Sequence, residues 1–390
     1  MSPRSRAEEA PFPVLPGLES AVEFWKLIFT RFSVREVVFH DPEQPLKIYK
    51  VLEIPEGPAA RELIEAERER VSAEHGFTKE EARVRAQRGT RERFGEGLRR
   101  SRLYLNQMKR IFAQEGVPTG LVYLPLVESS FHPGARSPAG AVGMWQFIYS
   151  TGKEFLRIDK HVDERKDPLE STRAAARLLK RNYEALGNWP LAITAYNHGR
   201  SGMLRAVSEV GSDDLVEIIR RYQGPAFGFA SKNFYAEFLA ALEVVRESEE
   251  HFPDLVYPQP ILLEELELAR PLRLAALLKP AGISRDQFLE WNPALNPRLG
   301  EVPKGYRLKV PAEKFASLRE FVLKLLRGPA ANPAKPARAR GASWTRHRVQ
   351  KGETLSAIAR RYNVSVMRIQ KANSIAGHKI TAGDFLKIPR

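Results

Sequence analysis

Apolar residues recur at intervals of three or four positions in several stretches of the chain, and this spacing is typical of amphipathic helices. Residues 19–32 follow it and predict a helix. Two short apolar runs come next, over residues 37–39 and 47–51, and each predicts a strand. The stretch 55–95 is rich in Glu and Arg with few apolar positions between them. We expect it to form one long exposed helix.

Helical spacing continues through the middle of the chain, where glycine and proline mark the ends of the predicted helices. Gly187 lies where a C-terminal cap belongs, and Pro190 fits the first turn of the helix that follows. This region is therefore expected to be all-helical. The predicted helices cover residues 98–114, 121–129, 169–186, 190–197 and 227–245.

Towards the C-terminus the pattern changes twice. Residues 328–343 are rich in Pro, Ala and basic side chains, and such a composition predicts a semi-extended linker because it cannot build a core. In residues 347–389, Thr354 and Ser365 can each cap a short helix. A short strand is expected at each end of this segment, over residues 347–350 and 385–388.

Length and charge limit the classes of protein to consider. A chain of 390 residues is too long for one compact domain of usual size, so two to four units are expected. The formal net charge of +15 indicates an acidic partner or surface. Neither a zinc-ligand spacing nor an RNA-binding aromatic motif occurs, so nucleic acid is not the expected partner. The lack of cysteine excludes disulfides, thiolate metal sites and a cysteine nucleophile.

The sequence predicts neither a signal peptide nor a membrane span. The first twenty residues contain no apolar core of signal-peptide length. The apolar stretch 21–29 is interrupted by Glu23 and Lys26, and no run approaches the roughly eighteen residues that a spanning helix needs.

Glu128 is a lone carboxylate at the end of an apolar run, and the next acidic residue is Glu154. A carboxyl group in an apolar setting keeps its proton near pH 7, because desolvation raises its pKa. That is the state a general acid needs. The turn-rich stretch 131–143, with Trp145 and Gln146 behind it, offers a sugar close backbone approach, a stacking face and amide hydrogen bonds. The same residues also fit an ordinary helix end with a surface acid.

Three motifs carry a family resemblance: Glu128-Ser129, Ser137-x-x-Gly140-Ala141-x-Gly143-x-x-Gln146 and Ala195-Tyr196-Asn197-His198-Gly199. Over residues 98–245 the chain resembles the catalytic domain of the soluble lytic transglycosylase family. The resemblance implies a lysozyme-like helical fold and cleavage of the glycan of peptidoglycan. Residues 347–389 resemble a LysM domain, a module that binds N-acetylglucosamine-containing glycans. Together the two segments resemble the D-type membrane-bound lytic transglycosylases.

We therefore expect a mainly α protein with a lysozyme-like catalytic domain, a small α+β N-terminal region and C-terminal βααβ LysM modules. Residues 288–311 end like a LysM motif but lack its usual glycine-acid-threonine opening, which indicates a degenerate LysM-like unit. The predicted units are an N-terminal accessory region (1–95), the catalytic domain (96–250), the degenerate LysM-like unit (255–326), the linker (327–343) and the LysM domain (344–390).

Ordinary glycosidases use two carboxylates, whereas the motif region supplies only Glu128. Either folding brings in a distant acid, or the substrate supplies the second group, and the family resemblance implies the second. Glu128 would then protonate the glycosidic oxygen between N-acetylmuramic acid and N-acetylglucosamine. The muramoyl N-acetyl group would stabilise the cation, and the sugar's C6 hydroxyl would attack, forming a 1,6-anhydro end. The alternatives are a hydrolytic muramidase or chitinase on the same fold, and a non-catalytic peptidoglycan-binding scaffold.

The resemblance also implies roles for the residues around the glutamate. Trp145 would stack on a sugar or simply pack, and His198 is expected to be a packing or surface residue. The family usually places a tyrosine on the acid near the end of the domain, but that position falls on Phe234. Either Tyr235 or Tyr196 takes the role, and Tyr196 is favoured. With Glu128 as the catalytic residue, the expected substrate-binding residues are Ser129, Ser137, Gly143, Trp145, Gln146, Tyr196, Asn197 and Tyr235.

The expected partner is the glycan strand of peptidoglycan, bound by a monomer in the periplasm or cell envelope, a location inferred from the substrate. No metal-ligand spacing, phosphate-cradling loop or Ser/His/Asp triad occurs in the sequence. We therefore expect neither a metal nor another cofactor.

Overall fold

The structure, a computed structural model, describes residues 12–78, 81–298, 300–327, 344–375, 377 and 379–389. The chain divides into two compact units, Met1–Phe321 and Val322–Arg390. Helices dominate the described ranges, which confirms the predicted mainly α class. Within these ranges, no helix is long and apolar enough to cross a membrane.

The first unit is built around a bundle of helices whose ends follow the local sequence signals. Asp167 caps α6 by accepting hydrogen bonds from the N–H groups of Leu169 and Glu170, and Gly187 ends that helix as predicted. The helices are α1 (Glu19–Thr30), α2 (Ala60–Glu74), α3 (Arg91–Glu115), α4 (Leu124–Ser129), α5 (Tyr149–Phe155), α6 (Pro168–Leu186), α7 (Trp189–His198), α8 (Arg200–Val210), α9 (Leu215–Arg221), α10 (Phe229–Arg246) and α11 (Ser248–His251).

The N-terminal helix belongs to the same hydrophobic core as the middle of the chain. It packs along α10. Trp25 of α1 donates a hydrogen bond from Nε1 to Oδ1 of Asn233 on α10, at 3.2 Å. Phe24 and Ile28, on the same helix, are fully buried. Residues far apart in sequence thus form one packed body around the helix that carries Glu128.

A small antiparallel sheet lies in the N-terminal region, with strand order β2–β1–β3. Its strands are β1 (Glu36–His40), β2 (Ile48–Glu53) and β3 (Arg85–Arg88). The first two confirm the strands predicted there. The single helix predicted over 55–95 is wrong. Helix α2 stops at Glu74, Gly76 adopts a left-handed φ of 69°, and β3 returns to pair with β1.

A βααβ arrangement, with a pair of two-residue strands inside it, follows the helical bundle. Asn292, just after its second helix, ties that helix to the last strand: Nδ2 donates to the carbonyl of Lys309 and Oδ1 accepts from its N–H, both at 2.9 Å. The elements are β4 (Leu263–Glu267), β5 (Leu272–Arg273), α12 (Leu274–Ala281), α13 (Arg285–Trp291), β6 (Glu301–Val302), β7 (Arg307–Pro311) and then α14 (Ala312–Arg327), with β4 antiparallel to β7.

The second unit contains another βααβ arrangement, which confirms the predicted LysM topology. Thr354 and Ser365 cap its two helices as expected. Asn373 repeats the bonding seen at Asn292, since its amide exchanges hydrogen bonds of 2.8 and 2.7 Å with the backbone of Lys387. The predicted linker lies outside the described residues from position 328 onward. The elements are β8 (Trp344–Arg348), α15 (Leu355–Arg361), α16 (Val366–Asn373) and β9 (Phe385–Pro389).

Candidate active site

Glu128 lies in the last turn of α4. The continuous helix expected over 121–129 is split, because a 3-10 turn over Thr119–Tyr123 precedes α4. Pro125 explains the break, since it lacks the N–H that would bond back along a continuous helix. The first three residues of α4 are buried, so this short helix is anchored in the core and presents Glu128 at its edge.

The backbone turns sharply just after the glutamate and again at the end of the following loop. Ser130, Phe131 and Gln146 have positive φ angles of 50°, 56° and 48°. Such conformations cost on the order of 1–3 kcal/mol each for non-glycine residues and concentrate at functional sites. The first two residues are held by burial of the Phe131 ring and by a 2.9 Å hydrogen bond from the Arg100 guanidinium to the Ser130 carbonyl.

The Glu128 carboxyl group is partly exposed and forms no hydrogen bond or ion pair with any described residue. Burial raises its pKa to about 8, because the surroundings disfavour the charged form. The group is therefore protonated at neutral pH. This is the state that its apolar sequence context predicts, and it allows the carboxyl group to donate a proton.

Ser129 and Ser137, which are both expected to bind substrate, form hydrogen bonds within the loop that follows Glu128. Ser129 Oγ donates to the carbonyl of Met144 at 2.7 Å and accepts from the N–H of His132 at 3.3 Å. Ser137 Oγ accepts from the N–H of Ala141 at 3.1 Å. These side chains fix the shape of the loop around Glu128.

Gly143 and Gln146 have a similar structural role. Gly143 has a φ of 84°, and a Cβ atom there would lie 1.8 Å from the carbonyl oxygen of Arg165, so only glycine fits. Gln146 Nε2 donates to the Gly143 carbonyl at 2.7 Å. The Gln146 side chain thus bonds to backbone, and its expected contact with a sugar stays a prediction.

Trp145 packs inside the protein. Its ring is fully buried, stacks on Phe112 with 5.6 Å between ring centroids, and donates from Nε1 to Thr172 Oγ1 at 2.9 Å. No face of the ring is open to a ligand. The expectation that Trp145 contacts the substrate is therefore wrong, and the alternative packing role is the one observed.

The two candidate tyrosines lie in different places. The Tyr235 hydroxyl donates to the carbonyl of Pro13 at 2.8 Å, and its ring is fully buried. The Tyr196 hydroxyl donates to the carbonyl of Trp145 at 2.7 Å. Burial and then the nearby Glu128 charge raise the pKa of Tyr196 well above its usual value. Tyr196 is thus the tyrosine associated with Glu128, although its hydrogen bond goes to backbone, and Tyr235 is a packing residue.

The remaining motif residues line the end of α7. Asn197 is exposed, and its Oδ1 accepts from Ser231 Oγ at 2.8 Å. His198 packs edge-on against Phe227, with ring centroids 5.0 Å apart, and burial lowers its pKa. It is therefore neutral near pH 7, consistent with the expected packing role.

Sequence reasoning missed Glu237, a second carboxyl group near Glu128. Glu237 lies on α10, which packs against α4, and burial together with Glu128 raises the pKa of Glu237 to about 8. Arg85, on β3, acts in the opposite direction on Glu237. Glu237 stands in an apolar run between Ala236 and Phe238, the same signal that marked Glu128.

A groove of about 510 Å³ adjoins the end of α4. Residues from α3 and from the loop after α4 line it, and both signs of charge are present. Its charged lining consists of Glu92, Arg93, Glu96, Arg100 and Arg136. In the part of the chain that the structure describes, no group of three or more His, Asp or Glu side chains could hold a metal ion.

Two segments of the chain match known domain families. Residues 108–218 match the Transglycosylase SLT domain, and residues 347–389 match the LysM domain. The chain carries an SLT domain and a LysM domain. The SLT domain includes Glu128 and the motifs through Gly199, whereas Glu237 and Arg85 lie outside the matched residues.

Among curated proteins, the chain is 29% identical over 290 residues to membrane-bound lytic murein transglycosylase D of Escherichia coli K12. The alignment covers 70% of this chain and 61% of the relative, so the chain spans about three fifths of the relative's length. Among solved structures, the 70 kDa soluble lytic transglycosylase of Escherichia coli is 21% identical over 39% of this chain and 25% of its own, with a TM-score of 0.31. An inactive mutant of lytic transglycosylase Slt from Pseudomonas aeruginosa is 19% identical with the same TM-score, over 39% of this chain and 24% of its own.

Proposed function

We propose that this protein is a peptidoglycan lytic transglycosylase. It cleaves the β-1,4 bond between N-acetylmuramic acid and N-acetylglucosamine without water and leaves 1,6-anhydro ends. The observation that carries the proposal is the protonated, partly exposed Glu128 carboxyl group inside an SLT domain. The name of the Escherichia coli relative, a lytic murein transglycosylase, supports the same reaction class.

In this mechanism Glu128 acts twice. Its protonated carboxyl group donates to the glycosidic oxygen as the bond to the anomeric carbon breaks. The muramoyl N-acetyl oxygen shares its electrons with the cation that forms. The ionised carboxylate then takes the proton of the sugar's C6 hydroxyl as that oxygen bonds to the anomeric carbon. One group serves as acid and then as base, so Glu128 ends the cycle protonated.

Hydrolysis is the second candidate, and Glu237 is the observation that favours it. Glycoside hydrolases use two carboxyl groups, one as acid and one as base or nucleophile. Glu128 and Glu237 lie close enough for the charge of one to raise the pKa of the other. In a hydrolase, Glu237 would activate a water molecule, and the products would carry reducing ends.

Mass spectrometry of muropeptides distinguishes these reactions. Purified peptidoglycan is digested with the full-length protein, and the soluble products are compared with those of a buffer control. We expect anhydro ends. Reducing ends would show hydrolysis instead, and unchanged sacculi would show a non-catalytic scaffold.

We further propose that the LysM domain binds the glycan and that residues 255–326 form a second, LysM-like unit. Two observations support this LysM-like unit: its βααβ order, and the amide of Asn292, which bonds to the last strand as the amide of Asn373 does in the LysM domain. Peptidoglycan as substrate implies a location in the cell envelope. The net charge of +15 suits this anionic polymer.

Removal of residues 328–390 is expected to weaken co-sedimentation with insoluble peptidoglycan while leaving cleavage of short soluble glycans nearly unchanged. A tethered binding module raises the effective concentration of the enzyme at the polymer without adding to the chemistry. Both readouts are compared with the full-length chain at equal molarity. An equal loss of activity on soluble and insoluble substrates would mean that the LysM domain completes the active site.

A further inference from the structure

The loop of residues 140–147 supplies the backbone groups that hold the neighbours of the proposed acid. Ser129, the residue after that acid, donates from Oγ to the carbonyl of Met144 at 2.7 Å. Tyr196 donates from its hydroxyl to the carbonyl of Trp145 at 2.7 Å. The geometry around the acid therefore depends on where this loop lies.

Arg165 holds the 140–147 loop at both ends and in its middle. Its Nη1 donates to the carbonyls of Gly140 and Phe147, the two ends of the loop, at 3.4 Å each. Its own carbonyl oxygen fills the space where a side chain at Gly143 would stand. Because Arg165 is only 7% exposed, water competes little for these contacts.

Asp163 fixes the direction of the Arg165 guanidinium. Its Oδ1 accepts from Nε and its Oδ2 accepts from Nη2, both at 2.9 Å. Such a two-point pair between arginine and carboxylate fixes the orientation of the planar group as well as balancing its charge. The remaining nitrogen, Nη1, is thereby directed at the ends of the 140–147 loop.

The βααβ arrangement of residues 263–311 holds Asp163 in turn. The N–H of Asp163 donates to the carbonyl of Ala294 at 2.8 Å. The preceding residue, Val162, forms an antiparallel β-bridge with Leu295. The residue that orients Arg165 is therefore attached by its backbone to the turn after α13.

Two side chains extend this contact. Asn296 donates from Nδ2 to the carbonyl of Lys160 at 3.0 Å. In the opposite direction, Arg157 donates from Nη1 to the carbonyl of Lys304 at 3.0 Å. Arg157 and Lys160 belong to the same segment between α5 and α6 as Asp163. A continuous series of bonds thus joins the βααβ arrangement, through this segment, to the 140–147 loop.

We propose that the βααβ arrangement of residues 263–311 supports the active site, and that Arg165 is the positioning residue through which it holds the 140–147 loop beside Glu128. This role rests on the proposed function, in which Glu128 is the acid. Reacting groups need fixed neighbours, and a displacement of about 1 Å can lower the rate by about 10²-fold. The part of the chain needed for cleavage therefore extends beyond the residues of the SLT match.

Hydrogen exchange of the full-length protein tests whether Arg165 holds the loop. The N–H groups of Val142, Gly143 and Gln146 form hydrogen bonds of 3.1, 2.9 and 3.2 Å to backbone carbonyls, so their exchange reports local opening of the loop. In Arg165→Gln these amides should exchange about tenfold faster or more, because the bonds of a charged donor are lost.

The kcat on short soluble glycans tests whether the position of the loop matters for cleavage. Arg165→Gln should lower it by about 10–10²-fold. Arg165→Lys should lower it to a similar extent, because one ammonium group keeps the charge but cannot replace the fork that bonds Asp163 and both carbonyls. Recovery of the wild-type kcat with lysine would show that the charge alone is required, contrary to the proposed positioning.

A double variant tests the part played by the βααβ arrangement. Arg157→Ala with Asn296→Ala removes two part-exposed side chains that join the segment to the arrangement, but leaves Arg165 in place. It should change loop exchange and kcat in the same direction as Arg165→Gln, by a smaller factor. Because it removes no buried charge, it also provides the test if Arg165→Gln does not fold.

Arg83→Gln is the matched control for lost stability. Arg83 pairs with the fully buried carboxylate of Asp41 in the N-terminal region. Its removal breaks an ion pair of the same kind in the same unit, without touching the 140–147 loop. Loop exchange and kcat should both match those of the wild type, although the protein unfolds more easily.

Several results would overturn the inference. Unchanged loop exchange in Arg165→Gln, or equal loosening of the loop in Arg83→Gln, would show that Arg165 does not hold the loop. Wild-type behaviour of the double variant would remove the βααβ arrangement from the account. A loosened loop with wild-type kcat would overturn the positioning role. If the wild type fails to cleave peptidoglycan, the proposed function fails, whereas the exchange data still decide whether the arrangement holds the loop.

Discussion

Glu128→Gln is expected to lower the rate of glycan cleavage by about 10²–10⁴-fold or more, the usual loss when a general acid or base is removed. Glutamine has the shape of protonated glutamate, so the turn around it is preserved, but its amide cannot donate or accept the proton. The measurement is the initial rate of release of anhydro-muropeptides from purified peptidoglycan.

The matched control is Glu154→Gln in the same domain, which removes an exposed partner of Arg181. Its rate should equal that of the wild type. Glu128→Gln should still co-sediment with insoluble peptidoglycan through the LysM domain. If its turnover stayed within about tenfold of wild type, well short of the expected loss, the catalytic role would belong to another residue.

The same variant reports the protonation state of Glu128 independently of catalysis. In the unfolded chain this glutamate ionises at its ordinary pKa, whereas in the fold its pKa is raised to about 8. A raised folded pKa gives a stability contribution that is present at low pH and lost as the pH rises through the folded pKa. The unfolding free energy of Glu128→Gln relative to wild type should therefore increase from about pH 5 to about pH 8. A constant difference would show that the carboxyl group ionises freely.

Capping residues and prolines were sufficient to predict the ends of the helices that surround the site. Asp167 accepts from backbone N–H groups at the start of α6, and Gly187 takes the left-handed conformation that ends it. Pro190 occupies the first turn of α7 as its missing N–H predicts. In each case a residue and its immediate neighbours decide the structure, so the sequence alone locates the helix ends well.

The wrong prediction of one helix over 55–95 shows what a local sequence pattern cannot reveal. Strand β3 has only 4 residues, two of them arginine, and no apolar alternation of its own. It becomes a strand because β1 offers a free edge to pair with, from a distant part of the chain. The charge-rich composition correctly predicts helix α2, but composition alone cannot show that β3 pairs with β1.

Only the part of the site that lies within one short segment could be predicted from the sequence. Glu128, Ser129 and the Gly143–Gln146 turn lie within one short segment with recognisable motifs. Glu237 lies outside these motifs on α10, and only packing of α10 against α4 brings it near Glu128. The burial of Trp145 is likewise a tertiary outcome, since it depends on Phe112 and Thr172 from α3 and α6.

A buried ion cluster joins the βααβ arrangement of residues 263–311 to the helical bundle. Lys309 of β7 is 1% exposed, and its Nζ lies 2.9 Å from Asp167 Oδ2 and 3.1 Å from Glu170 Oε1, both at the start of α6. Burial lowers the pKa of Lys309, but the two carboxylates outweigh burial and raise it above the usual value. The lysine is therefore charged. Glu170 has two further cationic partners, Arg173 at 3.1 Å and Arg307 at 3.3 Å.

Lys309→Ala is expected to destabilise the unit Met1–Phe321 by about 3–5 kcal/mol, because it leaves the Asp167 carboxylate buried without its cation, whereas Glu170 keeps Arg173 and Arg307. Scanning calorimetry of the full-length protein measures the loss in the transition that persists when residues 328–390 are removed. Lys387→Ala is the matched control. Lys387 has the same backbone bonds to Asn373 that Lys309 has to Asn292, but its side chain is exposed. Lys387→Ala should change the free energy of unfolding by no more than about 0.5 kcal/mol. If Lys309→Ala were equally mild, the two acids would have to take up protons or water, and the contact between β7 and α6 would rest on its apolar packing alone.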